Sequence, residues 1–264
     1  MRKKIGISII IFLCVCALAA CGNNKNDNSI STSDVSDYIT ISIPESFENL
    51  SGMDENKLLE YLENNGDGNY EDLAIADGVV VISVTEGQAN YWKKFAKDLA
   101  DAYVSTLTDV SPKYKALYND SYDAISVYYD TAISFEEAFS YVGKAAMYCA
   151  LYQIFDGKQD YAITLNVYNV DTEKLIAGGN LETGEVSYDD TDWEKSYTLN
   201  AEEAAALESK YESDGQMINI KSSFINGMSV IDVLQAAAGN GYQYVYIDSD
   251  GVVQLKVDDD QKIT

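Results

Sequence analysis

Apolar side chains recur every three or four residues in several stretches of the chain, a spacing that places them on one face of an α-helix. The clearest stretch begins at Thr85, where Thr-Glu-Gly-Gln has the pattern of a capping box. Similar starts occur at Ser134, with Ser-Phe-Glu-Glu, and at Asn200, with Asn-Ala-Glu-Glu. The pattern predicts helices over 85 to about 107, 134 to about 156, 200 to about 209 and 229–238, with a weaker one over 53–64.

Alternating apolar and polar residues, or runs of β-branched residues, predict strands between these helices. The predicted strands cover 38–43, 79–85, 122–129, 161–170 and 174–179, the last two forming a hairpin around Asp171-Thr172-Glu173. Strands and helices therefore follow one another in the order β-α-β-α-β-α-β-β. Helices packed on one face of a sheet bury the apolar surfaces of both. We predict an α+β domain over residues 38–193, in which helices cover a mixed sheet.

The chain changes pattern after Trp193. The helix at 200–209 is followed by predicted strands at 217–221, 242–247 and 252–257, and Asp-Gly at 250–251 is a strong hairpin sequence between the last two. With the predicted helix at 229–238, residues 198–264 form a small β-α-β-β domain. The stretch GMSVIDVLQAAAGNGYQYVYIDSDGVVQLKV resembles the small N-terminal domains of secretins and TonB-dependent receptors. This resemblance implies a shape and no chemistry.

The N-terminus combines basic residues, an apolar run and small residues before a cysteine. Three basic residues at 2–4 precede the apolar run 5–17, which is shorter than the about 20 residues of a transmembrane helix. These features are typical of a secretory signal peptide. The run ends in Leu-Ala-Ala-Cys at 18–21, which resembles the lipobox of bacterial lipoproteins. The resemblance implies that residues 1–20 are removed by cleavage between Ala20 and Cys21 and that Cys21 carries a diacylglycerol thioether.

Residues 22–37 are rich in Asn, Ser and Asp and have no hydrophobic period, so we expect them, with Cys21, to be a flexible tether. Two acyl chains anchor a protein stably, whereas one chain binds only marginally. The membrane is therefore the first predicted partner, and the predicted location is the outer face of the cytoplasmic membrane. The sequence VGKAAMYCALYQIF, followed by Tyr-Asn-Val-Asp-Thr, also resembles Gram-positive, clostridial-type lipoproteins of unassigned role.

Composition excludes several classes of function. The chain carries a formal net charge of −25, and loss of the three basic residues at 2–4 would take it to about −28. Such a chain repels phosphate, so nucleic acid is not an expected partner. Histidine is absent, which removes the usual Ser-His-Asp and Cys-His nucleophile systems. Arg2 is the sole arginine and would be lost with residues 1–20, so no arginine would remain to bind a carboxylate or phosphate by two parallel hydrogen bonds. No cofactor is predicted.

Several residues remain as chemical candidates, each with a structural alternative. Cys149 lies on the apolar face of the helix predicted from Ser134, which favours a buried, unreactive thiol. The stretches 67–71 and 248–251 carry oxygen side chains at alternate positions, but neither has the complete EF-hand spacing, so turns are favoured and no metal site is predicted. Paired acids suggest glycoside hydrolysis; the pairs are Glu136/Glu137, Asp189/Asp190 and Glu202/Glu203. The alternative is chance pairing among 43 acidic residues, and two of the pairs lie in the first turns of predicted helices, where acids are favourable.

Tyrosines offer the best candidate for ligand binding. Tyr242, Tyr244 and Tyr246 alternate along one predicted strand, and rows of aromatic side chains can bind sugars or peptides. The alternative is that this row packs on the helix at 200–209. The sequence thus predicts a non-catalytic binding or assembly module with an envelope protein or glycan partner. A carboxylate-based cell-wall glycan hydrolase and a solute-binding receptor of a transporter are the two alternatives.

Overall fold

The computed structural model describes residues 38–182, 186–211, 216–221 and 242–257, and these contain six helices and ten strands. Their order along the chain is β1 (Ile39–Ile43), α1 (Ser46–Ser51), α2 (Glu55–Gly66), β2 (Asp72–Ala76), β3 (Val79–Val84), α3 (Glu86–Val110), β4 (Lys115–Tyr118), β5 (Ala124–Tyr129), α4 (Phe135–Phe155), β6 (Thr164–Asn169), β7 (Leu175–Asn180), α5 (Asp190–Tyr197), α6 (Ala201–Glu208), β8 (Gln216–Lys221), β9 (Tyr242–Ile247) and β10 (Val252–Val257).

The described strands form three sheets. The first has the order β1-β3-β2 and is antiparallel throughout. The second has the order β4-β5-β6-β7 and is mixed, because β5 and β6 run parallel while the outer pairs are antiparallel. The third has the order β8-β10-β9 and is antiparallel. With the helices packed against these sheets, the structure confirms the predicted α+β class.

The strands of the first 193 residues are divided between two sheets, whereas the sequence predicts one. Strand β3 pairs with β1 along one edge and with β2 along the other, so neither edge of β3 is available to β5. The missed strand β2 thus completes the first sheet. Strand β4, also not predicted, forms one edge of the second sheet, where it pairs with β5.

Two long helices form the centre of the hydrophobic core. Helix α3 packs along α4, and α4 also contacts β1 in the first sheet and β5 in the second. Trp92 on α3 stacks on Phe155 on α4, with ring centroids 5.2 Å apart and planes 10° from parallel. Both sheets are thus attached to one helical layer.

Most predicted elements are present, with boundaries that differ by a few residues. The capping boxes at Thr85 and Asn200 form as predicted, and the Ser134 side chain accepts the backbone N–H of Glu137. The short helices α1 and α5 were not predicted from the sequence; α5 has its own capping box at Asp189. The predicted helix at 229–238 and the first 37 residues lie outside the described part of the chain.

The third sheet shares its core with the rest of the molecule. Val245 on β9 and Leu255 on β10 belong to the same cluster of buried side chains as Trp92 on α3. A parallel bridge between Thr198 and Ile247 also joins the segment after α5 to β9. The predicted boundary at 193–198 therefore falls inside a continuous core.

Candidate functional site

The predicted tyrosine row is divided between two faces of β9. Val257 pairs with Tyr242 and Lys256 pairs with Tyr244, so Gln243 is an extra residue on β9. A β-bulge of this kind breaks the alternation of side chains along a strand. Tyr242 therefore points into the main core, whereas Tyr244 and Tyr246 point to the opposite face. The prediction that all three side chains share one face is wrong, because the sequence does not mark the bulge.

All three tyrosines are buried. Tyr244 and Tyr246 are 4% and 6% exposed and pack against Leu199, Ala204 and Leu207, which belong to α6 and the residues before it. For Tyr244 and Tyr246, this contact is the packing on the helix at 200–209 that the sequence analysis gave as the alternative to ligand binding. The Tyr246 hydroxyl donates a hydrogen bond to Glu208 (2.6 Å). These two rings thus attach α6 to the third sheet.

Tyr242 reaches a buried carboxylate in the turn between β6 and β7. Its hydroxyl donates to Oδ2 of Asp171 at 3.0 Å, and the Tyr197 hydroxyl on α5 donates to the same oxygen at 3.0 Å. On the other oxygen, Nζ of Lys113 lies 3.4 Å from Oδ1. The Lys113 ammonium also lies 3.7 Å from the centre of the Tyr242 ring. Asp171 is thus contacted from β9, from α5 and from the connection between α3 and β4.

Neighbouring polar side chains hold this turn in place. The amide of Asn169 donates to Ser196 Oγ (2.9 Å), and its oxygen accepts the backbone N–H of Asp171 (2.8 Å). Thr172 Oγ1 donates to the backbone oxygen of Ser196 (2.8 Å). Because buried polar groups are costly unless they are paired, this network fixes α5 on the β6–β7 turn.

The surroundings of Asp171 favour a structural role. Burial raises the pKa of its carboxyl above the ordinary value, with Lys113 acting in the opposite direction and Asp130 adding to the rise. The side chain is 3% exposed. A carboxylate so enclosed, with hydrogen-bond donors on both oxygens, is held by the protein's own groups. We therefore assign Asp171 to the attachment of the C-terminal strands.

The second sheet has one face on which none of the described residues is buried, and this face is the stronger candidate for a functional surface. Its opposite face is buried beneath α3 and α4 through the side chains of Ile125, Val127, Leu165 and Val167. The first of these faces, which we call the open sheet face, carries only half-buried or exposed residues among those that the structure describes. They are Lys115, Leu117, Ala124, Ser126, Tyr128, Thr164, Asn166, Tyr168, Leu175, Gly178 and Asn180.

One row of the open sheet face crosses all four strands. Lys115 pairs with Tyr128, Tyr128 with Tyr168, and Tyr168 with Leu175. The two tyrosine rings stack with centroids 4.7 Å apart and planes 12° from parallel. Nζ of Lys115 lies 4.3 Å from the centre of the Tyr128 ring. The Tyr128 ring therefore has Tyr168 on the β6 side and Lys115 on the β4 side.

Two exposed leucines extend this surface. Leu117 on β4 and Leu175 on β7 are each 52% exposed. Lys115 is the one charged residue of the set, and its ammonium lies 3.7 Å from the Glu173 carboxylate. Apolar and polar residues alternate along β5 and β6 in the sequence, but this alternation predicts only a sheet with one face in water. The sheet order is needed to bring Lys115 and Leu175 into the same row.

Cys149 and the paired acids occupy structural positions. Cys149 is fully buried, and burial raises the pKa of its thiol to about 12. The acidic pairs lie at the starts of α4, α5 and α6, where they face the positive end of the helix dipole.

The acidic loops are turns. In the 248–251 loop, Asp248 Oδ1 accepts the backbone N–H groups of Asp250 and Val252, both at 2.9 Å. In the 67–71 loop, Asp67 has a left-handed backbone and ends α2. Among the described residues, no group of three or more acidic or cysteine side chains is arranged to hold a metal ion.

The predicted cleavage site at Ala20 and Cys21 lies outside the described residues. Within the described ranges, no helix combines the length and the apolar character required to cross a bilayer. Comparison of the chain with models of known protein families, with curated proteins and with solved structures gave no match.

Proposed function

We propose that the protein is a lipid-anchored, non-catalytic binding or assembly module on the outer face of the cytoplasmic membrane. The anchor is Cys21, for which the support is the basic start, the short apolar run and the Leu-Ala-Ala-Cys sequence. The 16 residues at 22–37 would let the folded body move within roughly 20–24 Å of the anchor. A binding partner is thus expected in the cell envelope.

The observation that supports a binding role is the composition of the open sheet face. Aromatic side chains are enriched and charged side chains are depleted at the centres of protein interfaces. The face has two stacked tyrosines and the exposed side chains of Leu117 and Leu175. None of its described strand residues is acidic, and the charge of Lys115 is paired with Glu173 at 3.7 Å. Its polar members, such as Asn166, can form hydrogen bonds to a partner. We propose that this face is where the partner docks.

A protein partner fits this face better than a glycan. Sugar rings stack on the exposed face of an aromatic ring. Here Tyr168 covers one face of the Tyr128 ring and Lys115 approaches it from the neighbouring strand on the other side. The surface therefore presents ring edges and leucine side chains, which suit packing against protein side chains.

The two alternative functions have less support. For a glycan hydrolase, Asp171 is already bonded to two tyrosine hydroxyls and the acidic pairs lie at helix N-termini. For a solute receptor, the expected cleft lies between lobes that move apart. Here Val245 and Leu255 pack in one core with α3 and α4.

The anchor and the surface can be tested in the native host. Mass spectrometry of the mature protein should find a diacylglycerol-modified Cys21 as the first residue, and globomycin should block the processing. A benzophenone amino acid in place of Leu117 should give a discrete cross-linked protein in intact cells. The same substitution at Ile75, which is 39% exposed on the separate strand β2, is the matched control.

Two outcomes would contradict the proposal. An unmodified Cys21 in a chain that keeps residues 1–20 would remove the anchor. Cross-linking at Leu117 that is no stronger than at Ile75 would show that the partner does not dock on the open sheet face. Cross-linking that survives the double change Tyr128→Ala and Tyr168→Ala would show the same. Cross-links to cell-wall glycan instead of protein would support the glycan alternative.

A further inference from the structure

Strand β7 forms an edge of the second sheet that has little protection. It is the last strand in the order β4-β5-β6-β7, and its sequence Leu-Ile-Ala-Gly-Gly-Asn contains no charged residue and no proline. Natural edge strands are usually blunted by charges, proline or covering segments, because a free edge can pair with another chain. The edge strands β4 and β2, by contrast, begin with Lys115 and Asp72.

The hydrogen-bond pattern shows which groups of β7 face outward. The backbone N–H of Leu181 donates to the oxygen of Ile163 at 2.8 Å, so residues 163 and 181 form a hydrogen-bonded pair. Such pairs alternate with non-hydrogen-bonded pairs along an antiparallel ladder. Gly178, which faces Asn166, therefore belongs to a non-hydrogen-bonded pair. Its N–H and C=O point away from β6, and the residue is exposed.

The side chains near this edge leave space for another strand. Gly178 has no side chain, and on the same open face Leu175 is 52% exposed. Among the described residues, no other strand pairs with the outer edge of β7. An added strand would therefore continue the open sheet face and place alternate side chains beside Leu175. Recognition of extended peptides by strand addition combines backbone hydrogen bonds with such side-chain contacts.

Most charged side chains of the described segments next to β7 are acidic, although Lys174 directly precedes the strand and pairs with Glu203 at 3.3 Å. Helix α5 contacts β7 and carries or is capped by Asp189, Asp190, Asp192 and Glu194, with Lys195 as its one basic residue. At the end of β7, burial and the neighbouring charge of Asp160 raise the pKa of Glu182. No described lysine forms an ion pair with Glu182 or Asp160. A cation at this edge would relieve the repulsion between these acids.

We infer that the β7 edge binds an extended, basic segment of a partner protein by strand addition, with apolar side chains beside Leu175 and lysine or arginine side chains towards α5 and Glu182. This inference rests on the proposed function, because it describes how a protein partner attaches. Two acidic copies of this chain would repel each other at the same edge, which favours a basic partner over a second copy.

The test uses the full-length protein in a non-ionic detergent and two synthetic peptides with blocked ends. One peptide alternates lysine and valine over eight residues, and the other alternates glutamate and valine. Hydrogen exchange should show that the lysine peptide protects the segment 175–182 and leaves 72–76 on β2 unchanged. The glutamate peptide should protect neither segment. Binding of the lysine peptide should weaken as salt is raised, because charge attraction is screened.

The decisive variants are Gly178→Pro and Gly178→Ala. Each adds a Cβ, which would approach Oδ1 of Asn166 to 2.6 Å, so both crowd the same flexible side chain. Only proline also removes the outward N–H. Gly178→Pro should weaken binding about tenfold relative to Gly178→Ala, the effect of losing one well-formed hydrogen bond. If Gly178→Pro does not fold, Leu175→Lys tests the same edge by adding a repelling charge.

Three results would overturn the inference: equal binding by the two Gly178 variants and no effect of Leu175→Lys, equal binding of the two peptides, or protection elsewhere than in 175–182. Protection of this segment that grows with protein concentration in the absence of peptide would assign the edge to a second copy instead. Failure here together with specific cross-linking at Leu117 would leave the proposed function intact. Loss of both would remove the binding surface altogether.

Discussion

The hydroxyl of Tyr242 donates a hydrogen bond to the buried carboxylate of Asp171 at 3.0 Å, across 71 residues of sequence. Tyr197 donates to the same oxygen, so one carboxylate holds both β9 and α5. A buried charge is tolerated when hydrogen bonds and an opposite charge replace its water shell. Asp171 therefore makes the packing of the third sheet sensitive to changes at one side chain.

We expect Tyr242→Phe to lower the free energy of unfolding by about 1–3 kcal/mol, because the carboxylate loses a donor that water cannot easily replace. Urea unfolding followed by circular dichroism measures the change. The matched control is Tyr246→Phe on the same strand, whose hydroxyl bonds to exposed Glu208. Water can satisfy Glu208, so this change should cost less than about 1 kcal/mol. Equal costs would contradict the role assigned to Asp171.

The pH dependence of stability should also report on Asp171. Burial raises the pKa of its carboxyl, with Lys113 opposing the rise and Asp130 adding to it, while the hydroxyls of Tyr114, Tyr197 and Tyr242 stay protonated. The native state therefore binds this proton more tightly than the unfolded chain, whose Asp titrates near about 4. The stabilising contribution is complete below that pH and is lost as the pH rises through the raised native pKa.

The variant Asp171→Asn removes this titration. The free energy of unfolding of the wild type minus that of Asp171→Asn should fall as the pH rises from about 4 towards neutrality. Denaturant titrations of both proteins at several pH values give this difference and cancel the contributions of the other acids. A difference that rises over the same interval would show that the native pKa is lowered, with Lys113 and the tyrosines outweighing burial.

Thiol counting tests the burial of Cys149 and the acylation of Cys21 in one measurement. Burial raises the pKa of Cys149 to about 12, so a thiol reagent at pH about 8 should not modify the native protein. After unfolding in urea, the mature protein should react with one equivalent of the thiol reagent, at Cys149, because a thioether on Cys21 does not react. Two equivalents would show a free Cys21, and rapid labelling of the native protein would show an accessible Cys149.

Local signals in the sequence predict the elements, while their partners depend on contacts between distant residues. The helices with capping boxes at Thr85 and Asn200 are predicted because these bonds join residues three positions apart. The pairing of β3 on both edges depends on β2, whose exposed, short sequence Asp-Leu-Ala-Ile-Ala has no clear strand pattern. The sequence therefore predicts the class of fold and leaves the division into sheets open.

The candidate site is less predictable for the same reason. The turn at Asp171-Thr172-Glu173 reads as an exposed hairpin loop, yet Asp171 is buried because α5 and β9 cover it. The extra residue Gln243 reverses the face of Tyr242 without any glycine to mark the bulge. On the open sheet face, Tyr128 and Tyr168 become one stacked pair only when β5 and β6 align in parallel.

The capping box of α3 gives the last prediction, on a helix that contacts both N-terminal sheets, through β3 and β4. The Thr85 hydroxyl accepts the N–H of Gln88 at 3.3 Å, and the Gln88 side chain accepts the N–H of Thr85 at 2.8 Å. Thr85→Ala should lower the free energy of unfolding by about 1 kcal/mol, because the backbone N–H of Gln88 loses its acceptor.

The control is Thr108→Ala near the other end of α3. The exposed Thr108 hydroxyl donates to the backbone oxygen of Ser105, and alanine favours helix, so no loss of stability is expected. Urea unfolding of the two variants, measured in parallel, decides the point. Equal destabilisation would show that the cap contributes nothing beyond helix propensity.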